Sequence, residues 1–214
     1  IVIPALCDAG IPGSDANNYG MIGCCRVDIP GKMDSGRMLT YHYHDMAEWM
    51  LIALNGGRHP VSGAEVAANV MPPERMTTME DVWQAFDAVV RHVLRHVVLR
   101  GAEAQRYPPE HIFHFESILV RNCIERACDC AAGGAVYIPQ GHFFGGVATV
   151  ADSLMAIQRL VFEEGRYTLP ELLRITRNAF AGHEALRQEI RNRLPAFGND
   201  VPAVDALAAR AGAI

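Results

Sequence analysis

Tyr19-Gly20-Met21-Ile22-Gly23-Cys24-Cys25-Arg26-Val27 is a mostly apolar run in which a glycine precedes two adjacent cysteines. Upstream, Ile1 to Leu6 is apolar, and Gly10 to Asn18 is rich in Gly, Pro, Ser, Asp and Asn. The order is therefore a short element, a loop, and a strand-like segment that carries Cys24. Downstream, helical spacing takes over. Met46, Trp49, Met50, Ala53 and Leu54 predict a helix over 42–54, closed by Gly56-Gly57. Between Met79 and Arg100, Val82, Phe86, Val89, Val93 and Val97 mark one buried stripe, and Thr77 three before Glu80 predicts a reciprocal cap. Further helices are expected over 149–164, stopping at Gly165, and from Thr168 to about Phe180 with Glu171 and Pro170 in its first turn. Two shorter ones are expected over 183–192 and 203–211, and Val136 to Ile138 reads as a strand in a Gly-rich stretch. Helices outweigh strands, with strand pieces between them, so the expected class is α/β.

The 214 residues could hold one large domain or two small ones, and no repeat, low-complexity tract or linker marks an internal boundary. Half the chain is hydrophobic and a fifth is charged, with mean hydropathy +0.07, which suits a dry core and excludes disorder. A net charge of -5 with dispersed Lys and Arg gives no footprint for nucleic acid. No apolar run approaches the roughly 18 residues of a membrane span. The chain starts at Ile1 with no readable signal peptide, so the start reads as an interruption. Six cysteines in a chain of this length do not make a disulfide scaffold, and a reducing, cytoplasmic setting is expected.

Three groups of residues offer chemistry. A thiol in the Gly-preceded segment at Cys24-Cys25 has nucleophile, redox centre or hydrogen-atom carrier as its functional roles; two small buried residues are the alternative. His92 and His96 have zinc-ligand spacing on a helix, but the segment between them lacks the Glu of a zinc protease, and a solvated or capping role is the simpler reading. Cys123, Cys128 and Cys130 lack the paired spacing of a zinc ribbon and are read as structural, so no metal site is expected. The Gly-rich stretch matches neither a P-loop nor a dinucleotide fingerprint; its glycines point to a tight backbone course or a close approach to a ligand.

Taken together, the segments resemble the glycyl radical enzymes, the family of pyruvate formate-lyase and the glycerol and choline lyases. The resemblance is carried by Val2-Ile3-Pro4-Ala5-Leu6, Asp15-Ala16, Tyr19-Gly20, Ile22-Gly23-Cys24 and Gly31-Lys32. It continues through Ala53-Leu54-Asn55-Gly56-Gly57, Cys123-Ile124-Glu125-Arg126 and Gly133-Gly134-Ala135-Val136-Tyr137. Val147 to Leu154, Phe180 to Arg187, Phe197-Gly198-Asn199-Asp200 and Val204-Asp205 close the series.

The resemblance implies part of a ten-stranded α/β barrel, its later portion, without the Arg-Val-x-Gly-Tyr segment that bears the family's radical glycine. It implies that Cys24 carries a thiyl radical that abstracts hydrogen from a small, carboxylate-bearing substrate, cleaving or forming a C–C or C–heteroatom bond. Cys25, Arg26 and Arg37 are the candidate substrate contacts. Glycerol or diol dehydratase-like and formate acetyltransferase-like members are the alternatives within the family, and a non-catalytic barrel fragment is the alternative outside catalysis. The implied partners are a radical-SAM activating enzyme and a second copy in a homodimer, with no cofactor held by this chain and the glycyl radical elsewhere. Position 26 departs from the dehydratase motif, which reads Gly-Cys-Val-Glu-Pro. An Arg guanidinium stays charged and exchanges no proton near neutrality, although its planar fork suits a carboxylate. An ion pair with Asp28 or Asp34 is the structural alternative.

Overall fold

A computed structural model describes residues 1–23, 26–34, 41–104, 112–138 and 141–214. The chain forms two compact units, one of Ile1–Tyr43 with Val98–Phe143 and the other of His44–Val97 with Phe144–Ile214. Each is built from two separated stretches of chain, so no linker or shift in composition marks the division.

In the first unit, α1 (Val2–Asp8) and α2 (Gly13–Ala16) precede an antiparallel hairpin of β1 (Gly20–Ile22) and β2 (Arg26–Asp28). Ile11, Ala16, Ile29 and Met33 form a small buried set against which Ile3, Leu6 and Tyr137 pack. A second small set, Val120, Cys123, Cys130 and Ala135, lies in the later stretch, which also holds the short α5 (His114–Ser117) and a 3-10 turn at Cys130–Ala132. The strand expected over Val136 to Ile138 is instead a single parallel bridge between Tyr137 and Met33. Two backbone bonds make it, from Tyr137 N–H to Lys32 O and from Asp34 N–H to Tyr137 O, each 3.0 Å.

β3 (Tyr41–Asp45) and β4 (Gly141–Gly145) pair as a second two-stranded sheet. The helix expected over 42–54 therefore begins later, as α3 (Met46–Ala53). Its helical stripe starts only at Met46, whereas Tyr41-His42-Tyr43-His44 is aromatic-rich and takes the extended form such residues favour. Asp45 makes the switch: its backbone is extended and its carboxylate accepts from Ala47 N–H at 2.9 Å, capping α3.

α4 (Met79–Ala104) buries Val82, Phe86 and Val89 completely, as its stripe predicts, whereas Val93 and Val97 of the same stripe are only half-buried. Its cap sits one residue beyond the expected Thr77–Glu80 pair. Thr78 Oγ1 accepts from Asp81 N–H, and the Asp81 carboxylate accepts from the N–H groups of Thr77 and Thr78. The Thr78 hydroxyl and these two amides hold the Asp81 carboxyl below its ordinary range.

α6 (Val147–Ile157) continues as a π-helical segment, Gln158–Glu163, and the chain turns at Gly165. α7 (Leu169–Arg177) opens with the expected Thr168–Glu171 capping box but ends before Phe180, because Ala179 and Phe180 both adopt positive φ. α8 (Glu184–Asn192) and α9 (Pro202–Gly212) follow. Leu154, Leu160 and Leu169 join Phe86 in the large core of this second unit. Burying a side chain of that size contributes about 1.5–3 kcal/mol. Among the described residues, no helix is long and apolar enough to cross a membrane.

Candidate active site

Three facing pairs set the register of the β1–β2 hairpin. Gly20 faces Asp28, Met21 faces Val27 and Ile22 faces Arg26, which leaves Gly23, Cys24 and Cys25 between the last paired residues. Gly23 leaves β1 at φ +60°, a conformation open to glycine at no steric cost. Cys24, Cys25 and Arg37 lie outside the described residues. Arg26 is half-buried at the end of β2, and Asp28, two residues on and so on the same face, is buried. Arg26, Asp28 and Asp34 are each engaged with a partner.

Around the hairpin, sequence reasoning missed a polar network. The Asp15 carboxylate receives Lys32 Nζ on Oδ1 at 2.5 Å and the Tyr137 hydroxyl on Oδ2 at 2.6 Å. The Lys32 hydrogen bond, then that of Tyr137, and the nearby charges of Lys32 and Arg121 hold the Asp15 carboxyl below its ordinary range; the same bond raises the Tyr137 phenol. Arg121 N–H also donates to Gly31 O at 2.8 Å, which pins the turn after β2.

A second carboxylate organises the Gly-rich side of this unit. Asp129 accepts from Ser117 Oγ at 2.7 Å, Ala131 N–H at 2.8 Å and Phe113 N–H at 2.9 Å. Burial alone would raise its pKa, but these three bonds outweigh that and lower it. Ser117 Oγ in turn accepts from Cys130 N–H. Gly134 is there for space: a Cβ would lie 2.1 Å from Cys128 O and 2.9 Å from both Asp129 O and Cys123 Sγ. Cys123 and Cys130 are buried, and desolvation pushes both thiols up, away from the reactive thiolate. Half-buried Cys128 directs its Sγ to Ala132 O.

Among the described residues, the grouping close enough to share a cation is Asp34, Glu116 and Cys130, whose ligand atoms lie within 4.8 Å of one another. The rings of His92 and His96 have centroids 4.2 Å apart and are tilted by 32°, with the Nδ1 of His96 2.9 Å from His92 O, an arrangement within one helix. In the second unit, an open cleft is floored by Trp83, over whose ring Arg210 sits at 4.3 Å while binding both oxygens of Glu80.

Comparison with known proteins adds the wider frame. A family model described as "Pyruvate formate lyase-like" matches residues 1–212. The chain is 33% identical to the probable dehydratase YbiW of Escherichia coli (strain K12) over 220 residues, covering 99% of this chain and 26% of that protein. It is 27% identical to trans-4-hydroxy-L-proline dehydratase of Clostridioides difficile, covering 93% of this chain and 25% of that protein. The glycerol-bound B12-independent glycerol dehydratase from Clostridium butyricum superposes with a TM-score of 0.85 at 28% identity, over 100% of this chain and 27% of that one. The chain thus spans about a quarter of the length of the relatives it matches. The architecture is that of part of a glycyl radical enzyme α/β barrel, as its sequence implied.

Proposed function

The chain belongs to the pyruvate formate lyase-like family of glycyl radical enzymes, and from that premise we propose that it is the cysteine-bearing part of a glycyl radical lyase acting on a small, hydroxylated, carboxylate-bearing molecule. What supports this reading is the family match over residues 1–212, which includes the Ile22-Gly23-Cys24 segment that carries the resemblance. The chemistry balances without an external oxidant. The Cys24 thiyl takes a hydrogen atom from a substrate carbon, giving a thiol and a carbon radical. A neighbouring C–heteroatom bond then breaks, the departing group leaves with a proton, and the product radical takes its hydrogen atom back from the Cys24 thiol.

An enclosed site is required, because water and oxygen intercept such radicals and because sulfur and carbon must be held in contact. Exposed Ile112, Phe115, Ile118 and Leu119 on and beside α5 support packing of this chain against further polypeptide. Arg26 supplies the fork for a substrate carboxylate, and Cys25 and Arg37 are the neighbouring contacts. The hydroxyproline dehydratase among the relatives acts on a molecule that bears such a carboxylate. With Arg at 26, the proton for the leaving group comes from another residue. The radical resides on a glycine outside these residues and is installed by a radical-SAM activating enzyme; the working form is a cytoplasmic homodimer.

The test is anaerobic activation of the protein that carries this chain, followed by electron paramagnetic resonance and turnover of a panel of small diols and hydroxylated amino and carboxylic acids. A carbon-centred doublet with oxygen-sensitive turnover of a carboxylate-bearing member is expected. Failure to form the doublet, or turnover that persists in air, refutes the reading.

A further inference from the structure

His92 and His96 stand one turn apart on α4, and four-residue spacing puts both imidazoles on one face of the helix. Their ring centroids lie 4.2 Å apart with the planes tilted by 32°, so the two rings are already in contact. His92 is half-buried and His96 exposed, so the pair reaches the surface of its unit. The helix beneath it is held in place. Val93 and Leu94, between the two histidines, pack against the large core of the second unit. Rings that are close together on a backbone fixed by packing have little left to lose in binding a shared ligand.

One hydrogen bond fixes the chemistry of the pair. The Nδ1 of His96 lies 2.9 Å from the backbone oxygen of His92. A carbonyl oxygen only accepts, so Nδ1 carries the proton and donates it, and Nε2 keeps its lone pair. That is the state in which a histidine binds a metal ion, with its other nitrogen tied to a carbonyl that sets tautomer and ring orientation. The bonded carbonyl lies inside α4 and not at its end, so the ring does not cap the helix. Nearby charge selects among cations. Arg91 Nε is matched by both oxygens of Asp87, at 2.7 and 2.9 Å, and Arg95 is exposed. Two nitrogen ligands beside guanidinium groups offer little to Mg²⁺ or Ca²⁺, which take oxygen ligands. They suit ions that bind imidazole, such as Ni²⁺, Cu²⁺ and Zn²⁺.

We propose that His92 and His96 form a chelating site for one divalent transition-metal ion, held through the two imidazoles with water or a small anion in the remaining positions. The ion links two successive turns of α4 where its stripe is no longer fully buried, at Val93 and Val97. Because it binds the folded helix and not the open one, it stabilises that stretch. The site is independent of the role proposed for Cys24.

The experiment is anaerobic titration of the whole protein with Ni²⁺, before activation and after a chelator has stripped it of metal, in excess Mg²⁺. Calorimetry and near-ultraviolet absorption are the readouts. One equivalent is expected to bind without the charge-transfer absorption of a nickel–thiolate bond, which separates the imidazoles from the cysteines. His92→Gln and His96→Gln should each weaken binding about 100-fold, since either loss leaves one ligand without its tethered neighbour. His183→Gln, at the start of α8 in the same unit, should bind as the wild type does. Added Ni²⁺ should slow hydrogen exchange at the amides of 90–97 in the wild type and not in His96→Gln. No uptake of Ni²⁺ by the wild-type protein overturns the proposal, as does undiminished uptake in both single variants. Thiolate absorption accompanying the first equivalent, or an equal loss in His183→Gln, overturns it as well. Should His92→Gln fail to fold, exposed His96 decides alone.

Discussion

In the unit of His44–Val97 and Phe144–Ile214, one large set of buried aliphatic and aromatic side chains joins α3, α4, α6 and α7. In the other unit, among the described residues, the buried apolar side chains form two small sets of four, and carboxylates do much of the joining. Asp15 ties three segments there, and Asp129 ties α5 to the 3-10 turn at Cys130–Ala132. The difference has a physical meaning. Apolar packing is tolerant of small shifts and contributes stability roughly in proportion to area. Hydrogen-bonded carboxylates are directional and fix distances. The first unit therefore leans on directional bonds among its described residues, and the helical unit on apolar packing.

The largest effect that would test this contrast lies in the helical unit. Phe86→Ala removes a fully buried ring from the main core and should cost about 3–5 kcal/mol in chemical denaturation. A loss well below that range would mean that this core is not the main source of stability. In the other unit, Gly134→Ala drives a methyl group onto Cys128 O and should cost about 1–3 kcal/mol, with the amides of 112–138 exchanging faster. Next, Thr168→Ala breaks the capping box of α7 and should cost about 1 kcal/mol, seen as a lower denaturation midpoint.

Acid should separate the two units with the smallest effect of all. The Asp129 carboxyl is lowered by its hydrogen bonds, so it stabilises the folded state above the usual carboxylate pKa of about 3.9 and loses that contribution as pH falls through the depressed value. Hydrogen exchange below about pH 4 should therefore open 112–138 before the amides of α6 and α7. The reverse order would break the comparison.

Legibility in the sequence followed the same line. Helices α4, α6 and α7 were readable because one buried stripe, a capping pair and a terminal glycine each leave a periodic or local mark. The onset of α3 was not, since Tyr41 to Asp45 adjoins the helical stripe and only the cap at Asp45 separates strand from helix. The Asp15–Lys32–Tyr137 network was invisible as a unit, because its tyrosine lies 122 residues from its carboxylate. Yet all three residues stand inside segments that carry the family resemblance, Asp15-Ala16, Gly31-Lys32 and Gly133 to Tyr137. The resemblance marked the segments, and the fold shows that they meet.

The sharpest test concerns the sulfur. In the activated protein, Cys24→Ala should retain the glycyl radical doublet and the wild-type fold while abolishing turnover, because the radical would have no thiol through which to reach the substrate. Turnover retained in Cys24→Ala would contradict the account.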